Sequence, residues 1–330
     1  MNRLLQVENI SKSFEGAKII DDISFDIYEG EIIALLGESG SGKSTLLNLI
    51  AGFLQSTKGI IKIQNNIVTS KSIFIPPEKR KIGFLFQNFA LFPHLNVREN
   101  IAFGLKKDKQ KRVEELLQLV KLEHLENRYP HELSGGQQQK IALLRSIAPV
   151  PKFILMDEPF SNIDYMAKDK LHKQLLDILK TTHTTAMIVT HDANEAMRLA
   201  NRILYLQEGK ILQDSSVEDF YKKPRSKKIA RSSAIANFIK KEETEYLLRG
   251  NDIVISLNGE YKATILDKYF QGEQYIYEAT IAIKNGSQKI KFYSTQNTLQ
   301  REIYIDILWS NAYSINTLEP RAEESIHSED

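Results

Sequence analysis

The stretch Leu36-Gly37-Glu38-Ser39-Gly40-Ser41-Gly42-Lys43-Ser44-Thr45 reads as a phosphate-binding loop, and the rest of the chain is best understood outward from it. Gly37 and Gly42 let the backbone curl without a Cβ clash, so that successive N–H groups point at the α- and β-phosphates of a nucleotide. Lys43 then reaches the β- and γ-phosphates, and Ser44 can hold Mg²⁺. Before the loop, Ile32 to Leu36 is an apolar run expected to be a buried parallel strand. After it, Thr45 to Ala51 is expected to be a helix whose N-terminus adds positive potential beneath the phosphates. A merely glycine-rich turn would not need this strand-to-helix setting.

A second set of reactive groups follows downstream. Phe153-Ile154-Leu155-Met156-Asp157-Glu158 is an apolar strand ending in two carboxylates, at the rim of a sheet where Asp157 can hold Mg²⁺ through water and Glu158 can orient an attacking water. Acidic residues end many strands, so the pattern is informative mainly beside the loop. Val189-Thr190-His191-Asp192 ends the next apolar run in a histidine. Such a residue is often structural, but near a γ-phosphate it can donate to developing negative charge. Leu133-Ser134-Gly135-Gly136-Gln137 precedes the helical pattern Gln138 to Ile147 and makes a second anion-suited helix start. One domain cannot easily aim two such starts at one phosphate, so the second is expected to serve the nucleotide of another, identical subunit.

The surrounding chain fits this reading. Its 330 residues suffice for two domains, each with its own core. With 44 basic and 42 acidic residues the net charge is +2, but from Lys240 onward 10 basic and 15 acidic residues give −5, leaving +7 on the rest. That basicity is too weak and scattered to argue for a nucleic-acid partner. There is no cysteine, which excludes disulfides and thiolate metal sites. No apolar run approaches about 18 residues and Met1 to Glu8 has no apolar signal core, so neither a span nor export is expected. Strand-like runs alternating with helical patterns imply an α/β domain with a largely parallel sheet. Val113, Leu116, Leu117, Val120 and Leu125 share one helical face in what reads as an inserted helical subdomain. Lys222 to Lys228 is a basic stretch read as a solvated connection. From about Asn251 short β-rich runs take over, with Asn285-Gly286 as a hairpin signal, and Arg321 to Asp330 is expected to fray.

Gly37 to Thr45, Gln87, Leu133 to Gln137, Phe153 to Glu158, Ser161 to Asp164 and His191 together resemble, in order and spacing, the ATP-binding-cassette ATPases. The resemblance covers roughly residues 1 to 235. It implies an α/β phosphate-loop ATPase domain over 1–235, with a helical subdomain at about 88–150, and a small OB-like β-rich regulatory domain over 240–330. Gly37, Glu38, Ser39, Gly40, Ser41, Gly42, Lys43, Ser44 and Thr45 would contact ATP, and Phe14 would stack on the adenine, although an aromatic between Ser11 and Glu15 could equally be core. Ser44, Gln87 and Asp157 would hold Mg²⁺, and Glu158, His191 and Gln87 would act in hydrolysis. Ser134, Gly135, Gly136 and Gln137 would face ATP bound to the other subunit of a homodimer, with Asp164 at that interface.

The tail and the finer details of Arg128 to Leu133 and Asp157 to Asn162 look most like the ATPase subunits of solute importers, in particular the ferric-iron branch, with polyamine, sulfate and sugar importers close. Lys140, Leu144 and Ser146 depart from the usual pattern. The resemblance further implies a separate membrane permease docking at Phe89 to Val97, an indirect solute-binding protein, and a peripheral place on the cytoplasmic face of the membrane. A soluble cassette ATPase of translation or repair, or a nucleotide sensor without turnover, is the rival reading.

Overall fold

The computed structural model describes residues 2–161, 165–283 and 286–315. Asn162, Ile163, Asp164, Asn285 and the charged end Arg321 to Asp330 lie outside them. Two compact units are present, Met1–Val217 and Glu218–Asp330. In chain order the first contains β1 (Arg3–Phe14), β2 (Ala17–Tyr28), β3 (Ile32–Leu36), α1 (Lys43–Ala51), β4 (Lys58–Ile63), β5 (Asn66–Thr69) and β6 (Gly83–Leu85). It continues with α2 (Val97–Ala102), α3 (Lys109–Val120), α4 (Gly135–Ile147), β7 (Phe153–Asp157), α5 (Tyr165–Thr181), β8 (Thr185–Thr190), α6 (Ala193–Leu199), β9 (Arg202–Gln207) and β10 (Lys210–Ser216).

Its centre is a six-stranded sheet in the order β10-β9-β3-β8-β7-β6. All pairings but β9 with the edge strand β10 are parallel. Every residue of β3 is buried, as a strand covered on both faces requires. Successive residues of the strands therefore feed two different cores. Ile154, Met156, Ala186 and Ile188 pack with Ile101, Val113, Leu116 and Ile141 of the helical subdomain. Ile33, Leu35, Leu155, Met187 and Val189 pack with Leu46, Leu47 and Ile50 of α1. That second core is closed by an antiparallel sheet, order β2-β1-β4-β5, contributing Leu5, Val7, Ile23, Ile27 and Ile61. The helical subdomain is α2 to α4, with Val113, Leu116, Leu117 and Val120 buried along α3 and Leu125 only partly so in the turn that follows. A capping box starts α2: Asn96 Oδ1 accepts from the Glu99 N–H and Glu99 Oε2 accepts from the Asn96 N–H, each at 2.9 Å.

The second unit begins at Glu218, upstream of the expected boundary at 235–240, and a buried arginine is one of the ties that hold residues 218 to 235 to it. Arg249, buried in β12 (Thr244–Arg249), donates to the carbonyls of Tyr221 and Ala230 and to Ser233 Oγ, and its guanidinium lies 4.3 Å from the Tyr221 ring. It thereby ties α7 (Val217–Lys222) and α8 (Lys227–Ser233) to the unit that follows them. The basic stretch Lys222 to Lys228 runs from the last residue of α7 into the first turn of α8, with only residues 223 to 226 between the helices. The remaining strands are β11 (Ala236–Lys241), β13 (Ile253–Ser256), β14 (Tyr261–Gln271), β15 (Gln274–Ile283), β16 (Gly286–Ser294), β17 (Glu302–Ile307) and β18 (Tyr313–Ser314). They form antiparallel sheets in the orders β11-β12-β18 and β13-β17-β14-β15-β16 over a core of Ile239, Leu248, Ile253, Tyr277, Phe292 and Ile305. This is the β-rich second domain that the composition change announces.

Candidate functional site

The phosphate loop joins β3 to α1 and encloses Lys43. Gly42, the residue before the helix, has φ 102°, and a Cβ there would meet the Ile19 carbonyl at 2.9 Å. A Cβ on Gly37 would lie 2.2 Å from the Leu206 carbonyl and 2.7 Å from Ser41 Oγ, so both positions require glycine. The Lys43 ammonium donates to the carbonyls of Gly37 and Glu38, each at 2.8 Å, and bridges the loop. Burial lowers its pKa from the usual lysine value, against the pull of the Glu158, Asp157 and Glu38 charges. Ser41 Oγ is buried without a hydrogen-bond partner, as a hydroxyl awaiting a phosphate oxygen would be. Glu38, Ser39 and Gly40 are exposed at the loop's outer edge.

The strand-end carboxylates lie opposite. Asp157 Oδ1 is 3.4 Å from Ser44 Oγ. Burial, and then the charge of Glu158, push its carboxyl above the usual range. These are hard oxygen donors of the kind Mg²⁺ accepts, and with phosphate oxygens they make a chemically suitable set. Among the described residues no group of three or more His, Asp or Glu side chains could hold a metal ion.

Glu158 is held in the left-handed region, φ 42°, unusual for a residue with a Cβ. Its N–H donates to the Val189 carbonyl at 3.0 Å. The turn brings Glu158 Oε1 to 3.2 Å from His191 Nδ1 and Oε2 to 3.4 Å from Gln87 Nε2. Three residues far apart in the chain, Gln87 after β6, Glu158 after β7 and His191 after β8, thus converge because their strands are adjacent and parallel. Ser161 Oγ, 3.5 Å from Gln87 Nε2, joins them; its place in the motif was evident but its contact was not.

Ser134 starts α4. Its Oγ accepts from the Gln137 N–H at 3.4 Å while Gln137 Oε1 accepts from the Ser134 N–H at 2.9 Å. The helix begins at Gly135, three residues earlier than the pattern from Gln138 predicts, so the paired glycines are its first turn. A Cβ on Gly135 would meet nothing within 4 Å. Phe14 is 43% exposed with Lys12 Nζ 4.8 Å from its ring, so it is not a core residue. Phe89 and Val97, the two ends of the expected docking segment Phe89 to Val97, are buried and anchor it, while Ala90, Pro93 and His94 between them are exposed. Arg145 fixes it by donating to the Ala90 and Phe89 carbonyls at 2.6 and 2.9 Å. Exposed aromatics nearby include Phe103, 4.3 Å from Phe92 between ring centroids, and Phe53 and Phe86, clustered with Phe84 at 5.2 and 4.4 Å. Of the departures from the usual pattern, Ser146 Oγ lies 2.9 Å from the Phe84 carbonyl and does not reach the phosphate loop.

Residues 20–161 match the family model for the ABC transporter. Over 236 residues the chain is 42% identical to the Fe(3+) ions import ATP-binding protein FbpC 2 of Haemophilus influenzae, covering 70% of this chain and 66% of that one. It is 39% identical to the sulfate/thiosulfate import ATP-binding protein CysA of Nephroselmis olivacea over 76% of this chain and 74% of that one. The chain belongs to the ATP-binding-cassette transporter family. A further relative is the putrescine transport ATP-binding protein PotG of Escherichia coli, 44% identical over 68% of this chain but 60% of PotG, so the matched stretch spans less than two thirds of that relative. Among solved structures, the ATP-binding cassette MJ0796, a dimer bound to ADP and Pi in a post-hydrolysis state, is 31% identical with a TM-score of 0.58, over 65% of this chain and 99% of that chain. The cbiO1 protein of Clostridium perfringens, part of the ABC transporter complex cbiONQ, gives a TM-score of 0.61 at 27% identity over 66% of this chain and 90% of that one. No helix among the described residues of this cassette is long and apolar enough to cross a membrane.

Proposed function

We propose that this cassette is the ATP-hydrolysing subunit of an importer, working as a homodimer on a separate membrane permease. The observation that carries the reading is the Glu158 carboxylate held between His191 and Gln87 at the mouth of the Lys43 loop. Glu158 orients water for attack on the γ-phosphorus and takes its proton as the new O–P bond forms. The bond from phosphorus to the β–γ bridging oxygen breaks, and its electron pair leaves on ADP. Lys43 and the loop N–H groups carry the phosphate charge, and His191 donates to the oxygen on which charge develops. Ser44, Asp157 and Gln87 would hold Mg²⁺, which neutralises the β- and γ-oxygens when bound.

Glu158→Gln keeps ATP binding and stalls turnover, whereas Lys43→Ala loses ATP affinity. Near-normal hydrolysis by the first, or normal nucleotide binding by the second, refutes the assignment. The two helix starts at Lys43 and Gly135 support a shared site, with Ser134, Gly135, Gly136 and Gln137 of one chain facing the γ-phosphate on Lys43 of the other. In the cysteine-free chain, Ser39→Cys with Gly135→Cys in the Glu158→Gln background is joined by a short bismaleimide, each thiol adding across one maleimide double bond, only with ATP present. A monomer-only result removes the composite site.

The segment Phe89 to Val97, downstream of Gln87 and exposed at Ala90, Pro93 and His94, takes the docking role for a permease's cytoplasmic helix. Such an assembly places the protein peripherally on the cytoplasmic face of the membrane, fed indirectly by a solute-binding protein. The solute we propose is ferric iron, supported by the motif resemblance and by the similarity to FbpC 2; polyamine, sulfate and sugar are the alternatives. Uptake of radiolabelled iron, putrescine and sulfate by cells lacking the gene separates them, and a loss confined to putrescine or sulfate overturns iron.

A further inference from the structure

The helix whose start is assigned to the second copy's nucleotide is also bonded to this chain's own catalytic turn. Gln139, in the second turn of α4, is 5% exposed, and its Nε2 donates to the Pro159 carbonyl at 2.9 Å. Pro159 follows Glu158 and has no N–H, so its carbonyl is the one backbone group by which it can be held. The turn needs holding, because Glu158 lies in the left-handed region. Its other ties are local to the sheet and the turn itself: the Glu158 N–H to the Val189 carbonyl at 3.0 Å and the Ser161 N–H to the Glu158 carbonyl at 3.2 Å. Gln139 adds an anchor from α4. Its Oε1 is buried with no partner and sits at a cavity of about 20 Å³ lined by Lys140, Pro159, Leu171 and Gln174, so the amide has room to shift.

We propose that Gln139 is a positioning residue that couples the two nucleotide sites: seating of the second copy's ATP on Ser134 to Gln137 sets the Glu158 carboxylate of the same chain through Pro159. The inference rests on the composite-site reading above. The mechanics are those of a rigid helix. Gly135 and Gln139 are separated by about 6 Å of axial rise in one hydrogen-bonded helix, so a displacement of the first turn toward a phosphate is transmitted to the second. The Pro159 carbonyl follows the Gln139 amide, and Glu158 moves with the peptide it shares with Pro159. With no phosphate on its first turn α4 is less constrained, so the place of the carboxylate between His191 and Gln87 is one it can take but is not held in.

The test uses the full chain and measures hydrolysis against ATP concentration, with nucleotide binding and thermal unfolding in parallel. The wild type is expected to show a Hill coefficient approaching about 2, the number of sites. Gln139→Met, of similar length but without a donor, is expected to lose about tenfold in kcat, the worth of one strong hydrogen bond, with KM within about twofold and a Hill coefficient near 1. Gln139→Glu provides a second readout, since its carboxyl donates to the Pro159 carbonyl only when protonated. Its activity relative to wild type should therefore rise as pH falls, and this variant decides the matter if Gln139→Met does not fold. A Gln139→Met protein that unfolds at lower temperature yet keeps kcat and cooperativity shows a purely structural amide and overturns the inference. So does a non-cooperative wild type, or a Gln139→Glu ratio flat with pH. Absence of ATP hydrolysis, or of the Ser39 to Gly135 cross-link, instead overturns the reading on which the inference stands.

Discussion

Replacing Arg80 with Met should cost the first unit about 4 kcal/mol, although Arg80 touches neither nucleotide contacts nor another charge. The side chain is 3% exposed. Its guanidinium donates to the carbonyls of Ile75 at 2.7 Å, Leu49 at 2.9 Å, Ile50 at 2.8 Å and Val68 at 3.3 Å, and to Thr69 Oγ1 at 2.8 Å. Leu49 and Ile50 are in the last turn of α1, whose carbonyls have no partner within the helix, so Arg80 acts as its C-terminal cap and joins it to β5. Burial pushes the guanidinium down to about 10, so part of the bonding free energy is spent on desolvation. Methionine recovers that part but leaves buried acceptors without donors, each costing about 1–3 kcal/mol. Some of those groups will find one another or water, so a net loss of about 4 kcal/mol is the expected balance, within the range for breaking a buried polar network. For a unit of this size that corresponds to a fall in Tm of roughly 8–16 °C. Circular dichroism at helical wavelengths follows the α-helical first unit, while fluorescence of Trp309, the only tryptophan, follows the second and should not move. A loss under about 1 kcal/mol would show that the network is replaceable and refute the reasoning.

Four further outcomes are expected. Asp157→Asn should raise the Tm of the protein without Mg²⁺ or nucleotide at neutral pH: its folded-state pKa is raised, so the folded chain holds the proton more tightly than the unfolded one and the ionised form is a cost once pH exceeds the folded value. An unchanged or lower Tm in differential scanning fluorimetry would contradict this. His172 is buried with both ring nitrogens unpartnered, and burial holds its pKa below 6.5 against the opposing charge of Glu195, so the unfolded chain protonates first as pH falls. Stability should therefore be complete above about pH 6.5 and decline below it, a slope that His172→Leu removes; equal slopes in urea titrations would discount the role. Phe14→Ala should raise the KM for ATP about two- to tenfold, the worth of one stacked ring, with little change in Tm; an unaltered KM would dismiss the stacking role. A chain ending at Val217 should remain monodisperse and hydrolyse ATP, whereas one ending at Lys240 should aggregate, since β11 would lose its partner β12 and Ile229 and Ala230 of α8 their cover; size-exclusion profiles that rank them the other way would reject the boundary.

Part of this was legible from residues alone. The phosphate loop, the two strand-end carboxylates and the second glycine-bearing helix start are each encoded in a few consecutive residues. Gly37 and Gly42 are required by backbone and side-chain approaches within the loop and its immediate surroundings, and the run from Ile32 to Leu36 is apolar throughout because a strand covered on both faces must be. The antiparallel sheet of β1, β2, β4 and β5 was not foreseen, because β1 is interrupted by register shifts and its pairing with β4 spans distant parts of the chain. That Phe89 is buried at the start of the expected docking segment Phe89 to Val97 was not legible for a related reason: an aromatic in a loop reads the same whether it points to solvent or into the core.

The amino-acid sequence by itself signalled the chemistry of this cassette, because a loop that wraps a phosphate needs its glycines and its lysine within one short stretch, even though the carbonyls of Leu206 and Ile19 that crowd Gly37 and Gly42 come from distant strands. Tertiary structure alone decided which groups lie together. Gln87, Glu158 and His191 meet only because β6, β7 and β8 lie side by side in parallel, which sets their C-terminal ends at one rim. It also decided that Arg80 caps α1, that Gln139 holds Pro159 and that residues 218 to 235 belong with the second unit. Each of these is a buried hydrogen bond or packing contact whose partner is chosen by long-range geometry, and no pattern along the chain records which carbonyl a buried donor will find.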